Sequence, residues 1–293
     1  MEQSSKLNIN WFPGHMTKAK REMQDKLKLV DMVIELRDAR IPYSSKNPMI
    51  DEISKNKPRL VVLTKNDMAD EKRTREWIEY YESLGYKAIS VNLKRFREYQ
   101  KIISECRNIL KDKMEKERQR GMQPRAIRAI VVGIPNVGKS TFINSLAGKK
   151  AAITGNKPGV TKSQQLIRVD KDFELFDTPG VLWPKFEDER IARNIAFLGS
   201  IKQTILPLDE LFIEAMKYMN VHYPDLLKAR YNLSFDLDDD WVLPVFDHIA
   251  RVRAIKKLRG ETDYDRVIEV LFNDIFDGSI GRITWEDVSC VND

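Results

Sequence analysis

Cysteine and histidine are scarce in this chain, and long hydrophobic runs are missing. Only Cys106 and Cys290 are cysteines, and there are three histidines. Two cysteines so far apart give neither a metal-binding spacing nor a disulfide framework, which favours a reducing compartment. Apolar runs such as Ala129 to Val132 fall far short of the ~20 residues that span a bilayer. We therefore expect a globular cytoplasmic protein that is neither exported nor anchored in a membrane.

Charge is unevenly distributed along the 293 residues, although the net charge is only +6. Residues 206–293 contain 10 Lys/Arg and 18 Asp/Glu, whereas residues 1–205 contain 40 and 26. The first part therefore carries +14 and the last part −8. A basic surface of that size fits a phosphate-rich partner, and at this stage it fits a solvated lysine-rich surface equally well.

Apolar segments alternate with helical patterns through the first 205 residues. Strands are predicted at 30–36, 60–63, 88–91, 127–132 and 173–176. Helices are predicted near 15–29, 70–84, 97–119, 138–148 and 188–200. The alternation indicates an α/β fold with a doubly wound, mostly parallel sheet. Later segments are helical, at 207–219, 243–259 and 263–277. We predict an α/β domain over 1–205 and a helical domain over 206–293.

The octapeptide GIPNVGKS, from Gly133 to Ser140, has the spacing of a P-loop. It follows a predicted strand and opens a predicted helix, so backbone N–H groups and the helix N-terminus converge on a phosphate. Lys139 would bridge β- and γ-phosphate oxygens, and the Ser140 hydroxyl would ligate Mg²⁺. The nucleotide-binding residues predicted here are Asn136, Val137, Gly138, Lys139, Ser140 and Thr141.

The tetrapeptide DTPG, from Asp177 to Gly180, directly follows another predicted strand. Asp177 would hold Mg²⁺ through water, and Gly180 would offer its N–H to the γ-phosphate because it has no obstructing side chain. Thr161 lies between the two phosphate motifs. Its position predicts that it completes Mg²⁺ coordination when a triphosphate is bound; the alternative is an ordinary loop residue.

The tetrapeptide TKND, from Thr64 to Asp67, resembles NKxD, the guanine-recognition motif of GTPases. Asp67 would accept hydrogen bonds from two N–H groups that guanine has and adenine lacks, so adenine would be rejected. Lys65 would lie along the base plane. Thr64 stands where the motif usually has Asn, so the sequence does not decide whether this side chain braces the P-loop. SVN ends the next strand and would offer backbone N–H groups to guanine O6. The base-site residues are thus predicted to be Thr64, Lys65, Asn66, Asp67, Ser90, Val91 and Asn92.

The base motifs precede the phosphate motifs, which reverses their order in ordinary GTPases. Cutting the chain after the switch region and joining the old ends would preserve every strand neighbour. We therefore predict a circularly permuted P-loop GTPase that binds GTP and GDP. The segment after DTPG would lead into the C-terminal helical domain. Movement of the switch region on loss of the γ-phosphate could then be transmitted directly to that domain.

Four further segments accompany these motifs: WFPGHM at 11–16, DARIP at 38–42, PRAIRA at 124–129 and DTPGVLWPKFED at 177–188. Together they resemble the circularly permuted GTPases that take part in assembly of the large ribosomal subunit. The resemblance rests on the GTPase part, and the helical tail agrees with it in position and size. It implies a bacterial cytoplasmic factor that binds the precursor large (50S) subunit and its rRNA and is stimulated by it.

The resemblance also implies a catalytic residue. Ras-like enzymes orient the attacking water with a Gln after the DxxG glycine, whereas Val181 follows Gly180 here. The resemblance assigns this role to His15, whose imidazole would position the water; a hydrogen-bonded histidine at a helix N-terminus is the alternative. It further implies that Asn136 helps to bind K⁺ beside the phosphates, with simple loop capping as the alternative.

A basic cluster stands out in the acidic C-terminal part, on one predicted helix: Arg251, Arg253, Lys256, Lys257 and Arg259. The resemblance implies that the helical domain touches rRNA, with salt-sensitive affinity. Two other functions stay open, a nucleotide-gated regulator of a protein partner and a P-loop small-molecule kinase, the latter weakened by TKND. The oligomeric state is not determined by these patterns, and a monomer is the expectation.

Overall fold

The structure is a computed structural model. It describes residues 21, 23–54, 57–123, 125–146, 166–176, 178, 188–201, 208–234, 242–257 and 261–291. Within the predicted helix at 15–29, residues 21 and 23–27 are described and are helical. His15, Thr161, Asp177, Gly180 and Arg259 lie outside the described residues.

The described strands form one sheet in the order β3-β2-β1-β4-β6-β5. They are β1 Met32–Asp38, β2 Arg59–Thr64, β3 Lys87–Ser90, β4 Ile127–Val132, β5 Leu166–Asp170 and β6 Phe173–Phe176. All neighbours pair in parallel except β5 with β6. The mostly parallel sheet predicted from sequence is thereby confirmed. β5, with the sequence LIRVD, was not predicted, because this edge strand is only five residues long and contains no long apolar run.

The helices between and after the strands follow the predicted alternation closely. In the first part they are α1 Pro48–Ile53, α2 Glu71–Ser83, α3 Phe96–Gln119, α4 Lys139–Leu146 and α5 Glu189–Phe197. In the last part they are α6 Leu208–His222, α7 Pro224–Tyr231, α8 Val242–Val252 and α9 Tyr264–Asp277, followed by a 3₁₀ turn at Val288–Val291. The short helices α1 and α7 were not predicted.

The predicted helix over 243–259 is wrong beyond Val252. Ala254 has a φ of +54°, and the N–H of Ile255 bonds to the carbonyl of Ala250. The left-handed conformation of Ala254 and the hydrogen bond from Ile255 to Ala250 end the helix, and the Ile255 side chain is buried. Arg253, Lys256 and Lys257 therefore lie after the helix rather than along it.

One continuous apolar cluster joins a face of the sheet to the C-terminal helices. It extends from Val131 and Ile143 through Ile195 to Phe212 and Leu271, all of which are buried. The last segment of the chain then returns to the sheet region, where the N–H of Trp285 bonds to the carbonyl of Arg40 at 2.8 Å. The helical part is thus packed on the end of the sheet where strands β1 and β2 terminate.

A buried carboxylate at the start of β1 ties several elements together. Asp31 is 4% exposed and accepts hydrogen bonds from Lys113 on α3, from Arg125, and from the N–H of Arg128 in β4. Burial alone would raise the pKa of Asp31, but the hydrogen bonds from Arg125 and Lys113 outweigh it and hold that pKa well below its usual range.

Asp31→Asn keeps the volume of the side chain but removes its charge. We expect it to lower the free energy of unfolding at pH 7 by about 1–3 kcal/mol, because two cations lose their partner. The folded-state pKa is lowered, so this contribution is present at neutral pH and diminishes as the pH falls below about 4. Urea unfolding of both proteins at pH 7 and pH 3 measures this difference; an equal gap at both pH values would contradict the assignment.

Candidate functional site

The loop from Gly133 to Ser140 turns at the end of the central strand β4. Gly133 has a φ of +156°, and a Cβ there would lie 2.6 Å from the backbone oxygen of Leu36 in β1. Gly138 has a φ of +105°, in the region that favours glycine. Both glycines are therefore required by the backbone, the first because two strands approach closely and the second because of its conformation.

Lys139 opens α4 and is folded back over the loop. Its Nζ donates to the carbonyls of Gly133 at 3.0 Å and Ile134 at 3.1 Å, and the residue is only 6% exposed. A buried ammonium group held by loop carbonyls lies in the concavity formed by the loop and the helix N-terminus. The positive charge and the backbone N–H groups make this concavity suited to a phosphate group.

Thr64 connects the base motif to the phosphate loop. Its hydroxyl, which is fully buried, lies 2.7 Å from the carbonyl of Val137 in the P-loop and 3.1 Å from the carbonyl of Arg37 at the end of β1. A hydroxyl donates one hydrogen at a time, and the shorter distance favours Val137. Thr64 thus braces the P-loop, the point that the sequence left open.

The base motifs form a cavity of about 320 Å³ at the ends of β2 and β3. Its lining residues are Asn66, Asp67, Glu71, Thr74, Arg75, Ser90, Asn92, Arg95 and Arg282. The two motifs are joined by hydrogen bonds, from the N–H of Asn66 to the carbonyl of Val91 and from the Asn66 amide to the Ser90 hydroxyl. The volume is at the small end of the range for ligand pockets, which suits a single base.

Asp38, at the end of β1, holds Lys65 of the base motif. Lys65 has a φ of +57°, and its Nζ lies 2.9 Å from Oδ2 of Asp38. The same carboxylate accepts two hydrogen bonds from the guanidinium of Arg40, at 3.0 and 2.9 Å. Burial would raise the pKa of Asp38, but the charges of Arg40 and Lys65 keep it well below its usual range. Burial lowers the pKa of Lys65, and the Asp38 carboxylate opposes that shift.

The opposite side of the P-loop is held by the residues after α5. The Asn136 amide nitrogen donates to the carbonyl of Gly199 at 2.5 Å, and the Ser200 hydroxyl donates to the carbonyl of Pro135 at 2.7 Å. Asn136 has a φ of +60°, so it occupies a left-handed turn position that Asn tolerates well. A cation would be bound through its amide oxygen, whereas its bond to Gly199 is made by the amide nitrogen.

The predicted RNA-contact residues that are described lie on the surface. Arg251, Arg253, Lys256 and Lys257 are all exposed. Arg251 approaches the ring of His248 at 3.2 Å, and Arg253 lies 3.9 Å from Asp274. They are therefore spread around the end of α8 and the following turn.

Two groups near the base site were missed by the reasoning from sequence. Asp38 ends a buried strand whose neighbours end in the two nucleotide motifs, so strand order would have revealed it. Arg282 lies more than 200 positions after the base motif, and no local pattern points to its place in the cavity. Among the described residues, no cluster of three or more His, Cys, Asp or Glu could hold a metal ion. None of the described helices is long and apolar enough to cross a membrane.

A phosphate loop after β4 and a base motif after β2, in one sheet but in reversed chain order, define the class of a circularly permuted P-loop GTPase. A family model described as 50S ribosome-binding GTPase matches residues 128–227. Two solved structures of YlqF, one bound to GDP and one from T. maritima bound to GNP, each have a TM-score of 0.65 to this chain. They are 26% and 27% identical to it, cover 92% of it, and are themselves covered over 100% and 98% of their length.

Curated relatives match along nearly the whole chain. Ribosome biogenesis GTPase A of Bacillus cereus is 49% identical over 95% of this chain and 93% of its own length. Ribosome biogenesis GTPase A of Thermotoga maritima is 31% identical over 95% and 94%. The chain therefore belongs to the ribosome biogenesis GTPase A family and is a GTP hydrolase.

Thr64→Val removes the hydroxyl while keeping the shape of the side chain. We expect it to lower the free energy of unfolding by about 1–3 kcal/mol, because the carbonyl of Val137 loses its donor in a buried site. Thr64→Ser is the matched control and should retain most of the stability, since it keeps the hydroxyl. Urea unfolding without nucleotide compares the three proteins; equal losses for Val and Ser would show that packing, not the hydrogen bond, is responsible.

Proposed function

We propose that this GTPase acts in late assembly of the large (50S) ribosomal subunit, and that the precursor particle stimulates its hydrolysis of GTP. The observation that carries the proposal is the direct connection between the phosphate loop and the helical part. Gly199 and Ser200, which hold the P-loop, follow α5 and precede the C-terminal helices. A change at the phosphates would therefore be transmitted to the helical surface. The names of the relatives support ribosome biogenesis as the setting, with the cytoplasm as its location.

Phosphate binding begins with an exchange of partners at Lys139. Its Nζ now bonds to the loop carbonyls of Gly133 and Ile134, and the β- and γ-phosphate oxygens would replace them. Val137, Gly138 and Thr141 line the same turn. Backbone N–H groups at the start of α4 would then face the β-phosphate.

The donor set around the phosphates fits Mg²⁺. The ion prefers oxygen ligands and retains several waters, so it needs few protein groups. Ser140, in the first turn of α4, would contribute its hydroxyl, Thr161 would contribute another, and Asp177 would act through water. Gly180 would offer its N–H to the γ-phosphate. When bound, Mg²⁺ neutralises charge on the phosphate oxygens during hydrolysis.

Guanine would bind in the cavity at the ends of β2 and β3. Asp67, which lines this cavity, would accept from the base N1–H and 2-amino groups, with Lys65 along the base plane and N–H groups of Ser90 to Asn92 toward O6. The hydrogen bonds between Asn66 and the segment at Ser90 and Val91 support this arrangement, because they join the two base motifs.

Catalysis would require a group that orients the attacking water. We propose His15 for this role, and K⁺ bound by Asn136 as an additional positive charge near the phosphates. RNA contact would come from the basic part of the GTPase domain (1–205) and from Arg251, Arg253, Lys256, Lys257 and Arg259 in the helical domain (206–293).

Asp67→Asn tests the base site through a change of specificity. An amide cannot accept from both N–H groups of guanine, but its NH₂ can donate to the C2 carbonyl of xanthine. We expect the affinity for GDP to fall by about 100-fold or more, while the affinity for xanthosine diphosphate rises. Titration calorimetry with both nucleotides measures the exchange. Unchanged preference for GDP would remove Asp67 from the base site.

Hydrolysis with and without large ribosomal subunits tests the proposed function. We expect the particles to stimulate GTP turnover but not ATP turnover. His15→Ala should reduce stimulated turnover by about 100-fold or more, with GDP affinity retained.

His222→Ala is the matched control, because this exposed histidine contacts Arg73 and does not line the base cavity. Equal turnover with and without subunits would contradict the assembly role and favour a regulator of a protein partner. Full activity of His15→Ala would leave the GTPase intact but exclude His15 as the catalytic group.

A further inference from the structure

The C-terminal segment 281–284 lies directly against the loop that carries Asp67. Arg282 makes two of the contacts. Its Nε donates to the carbonyl of Ala69 at 2.8 Å, and its Nη2 donates to the carbonyl of Asn66 at 3.0 Å. The guanidinium therefore joins backbone groups on both sides of Asp67.

Backbone contacts continue this pairing beyond Arg282. The N–H of Ile283 donates to the carbonyl of Met68 at 3.0 Å, and the N–H of Asp70 donates to the hydroxyl of Thr284 at 3.1 Å. Ile283 and Thr284 are buried, at 4% and 0% exposure. Four polar backbone groups of the loop, at positions 66, 68, 69 and 70, are thus held by three consecutive residues from the far end of the chain.

Arg282 differs from its two neighbours because its side chain is half-exposed and lines the base cavity. Its contact with Glu71, at 3.5 Å, is long and at the surface. Removing the guanidinium would therefore leave Ile283 and Thr284 packed. The carbonyls of Asn66 and Ala69 would lose their donor and accept hydrogen bonds from water instead. The main consequence would be a looser loop around Asp67.

We propose that Arg282 is a positioning residue for guanine recognition. It holds the loop so that the Asp67 carboxylate meets the N1–H and 2-amino groups of the base together. Hydrogen bonds weaken steeply with misalignment, and a paired interaction needs both oxygens correctly placed. This inference rests on the proposed guanine site at Asp67.

The test compares GDP with inosine diphosphate, whose base lacks the 2-amino group. Calorimetric titration of the full chain gives both dissociation constants. In Arg282→Ala we expect the dissociation constant for GDP to rise about three- to tenfold, the value of one or two lost hydrogen bonds. That for inosine diphosphate should rise less, so the preference for GDP shrinks. Arg282→Lys, which reaches one carbonyl, should be intermediate.

Arg230→Ala is the matched control. Arg230 makes a two-point ion pair with Asp274 in the helical part, so its removal breaks a contact outside the loop that carries Asp67. It should lower the melting temperature without changing the preference for GDP. A GDP preference unchanged in Arg282→Ala and in Arg282→Lys, or reduced equally in Arg230→Ala, would overturn the proposal.

Asp67→Ala separates this inference from the proposed guanine site. If it abolishes the preference for GDP while Arg282→Ala leaves that preference intact, only the role of Arg282 is wrong. If Asp67→Ala leaves the preference unchanged, the guanine site itself is wrong and the role of Arg282 fails with it.

Discussion

The parallel pairing of β1 with β4 at the centre of the sheet is the constraint on which the rest of the structure depends. It joins the half that carries the base motifs, β3-β2-β1, to the half that carries the phosphate loop, β4-β6-β5. Because parallel strands end at the same edge, this pairing brings motifs that are far apart in the chain to one rim. The close approach of Gly133 to Leu36 is its local consequence.

Polar side chains at that rim connect the base motif to the phosphate loop and to the end of β1. Thr64 ties the base strand to the P-loop, and Asp38 ties the base-motif lysine to the neighbouring arginine, Arg40. Arg40 in turn donates to the carbonyl of Phe276, at the end of α9. A continuous set of hydrogen bonds and ion pairs therefore runs from the base motif to the helical part.

A second connection runs through the buried carboxylate of Glu286. It accepts from the N–H of Tyr43 at 2.7 Å, from the Asn194 amide at 2.9 Å, and from the hydroxyl of Ser44 in a very short contact. Burial raises the pKa of Glu286 above its usual value, and these hydrogen bonds oppose the shift. Since Asn194 lies on α5, the helix that follows DTPG is linked to the C-terminal segment and to the loop after β1.

The sequence by itself determined the fold class, the motifs and their permuted order, because each depends on local spacing: apolar runs, glycine positions, and a strand before each motif. It could not reveal β5, the end of α8, or the brace made by Thr64, since these depend on an edge position, a left-handed residue and a neighbouring loop. Only the tertiary structure placed Asp38 and Arg282 beside the nucleotide motifs, and Glu286 between α5 and the loop after β1. Their roles come from contacts between neighbouring strands and between residues far apart in the chain. Such contacts produce no periodic pattern in the sequence.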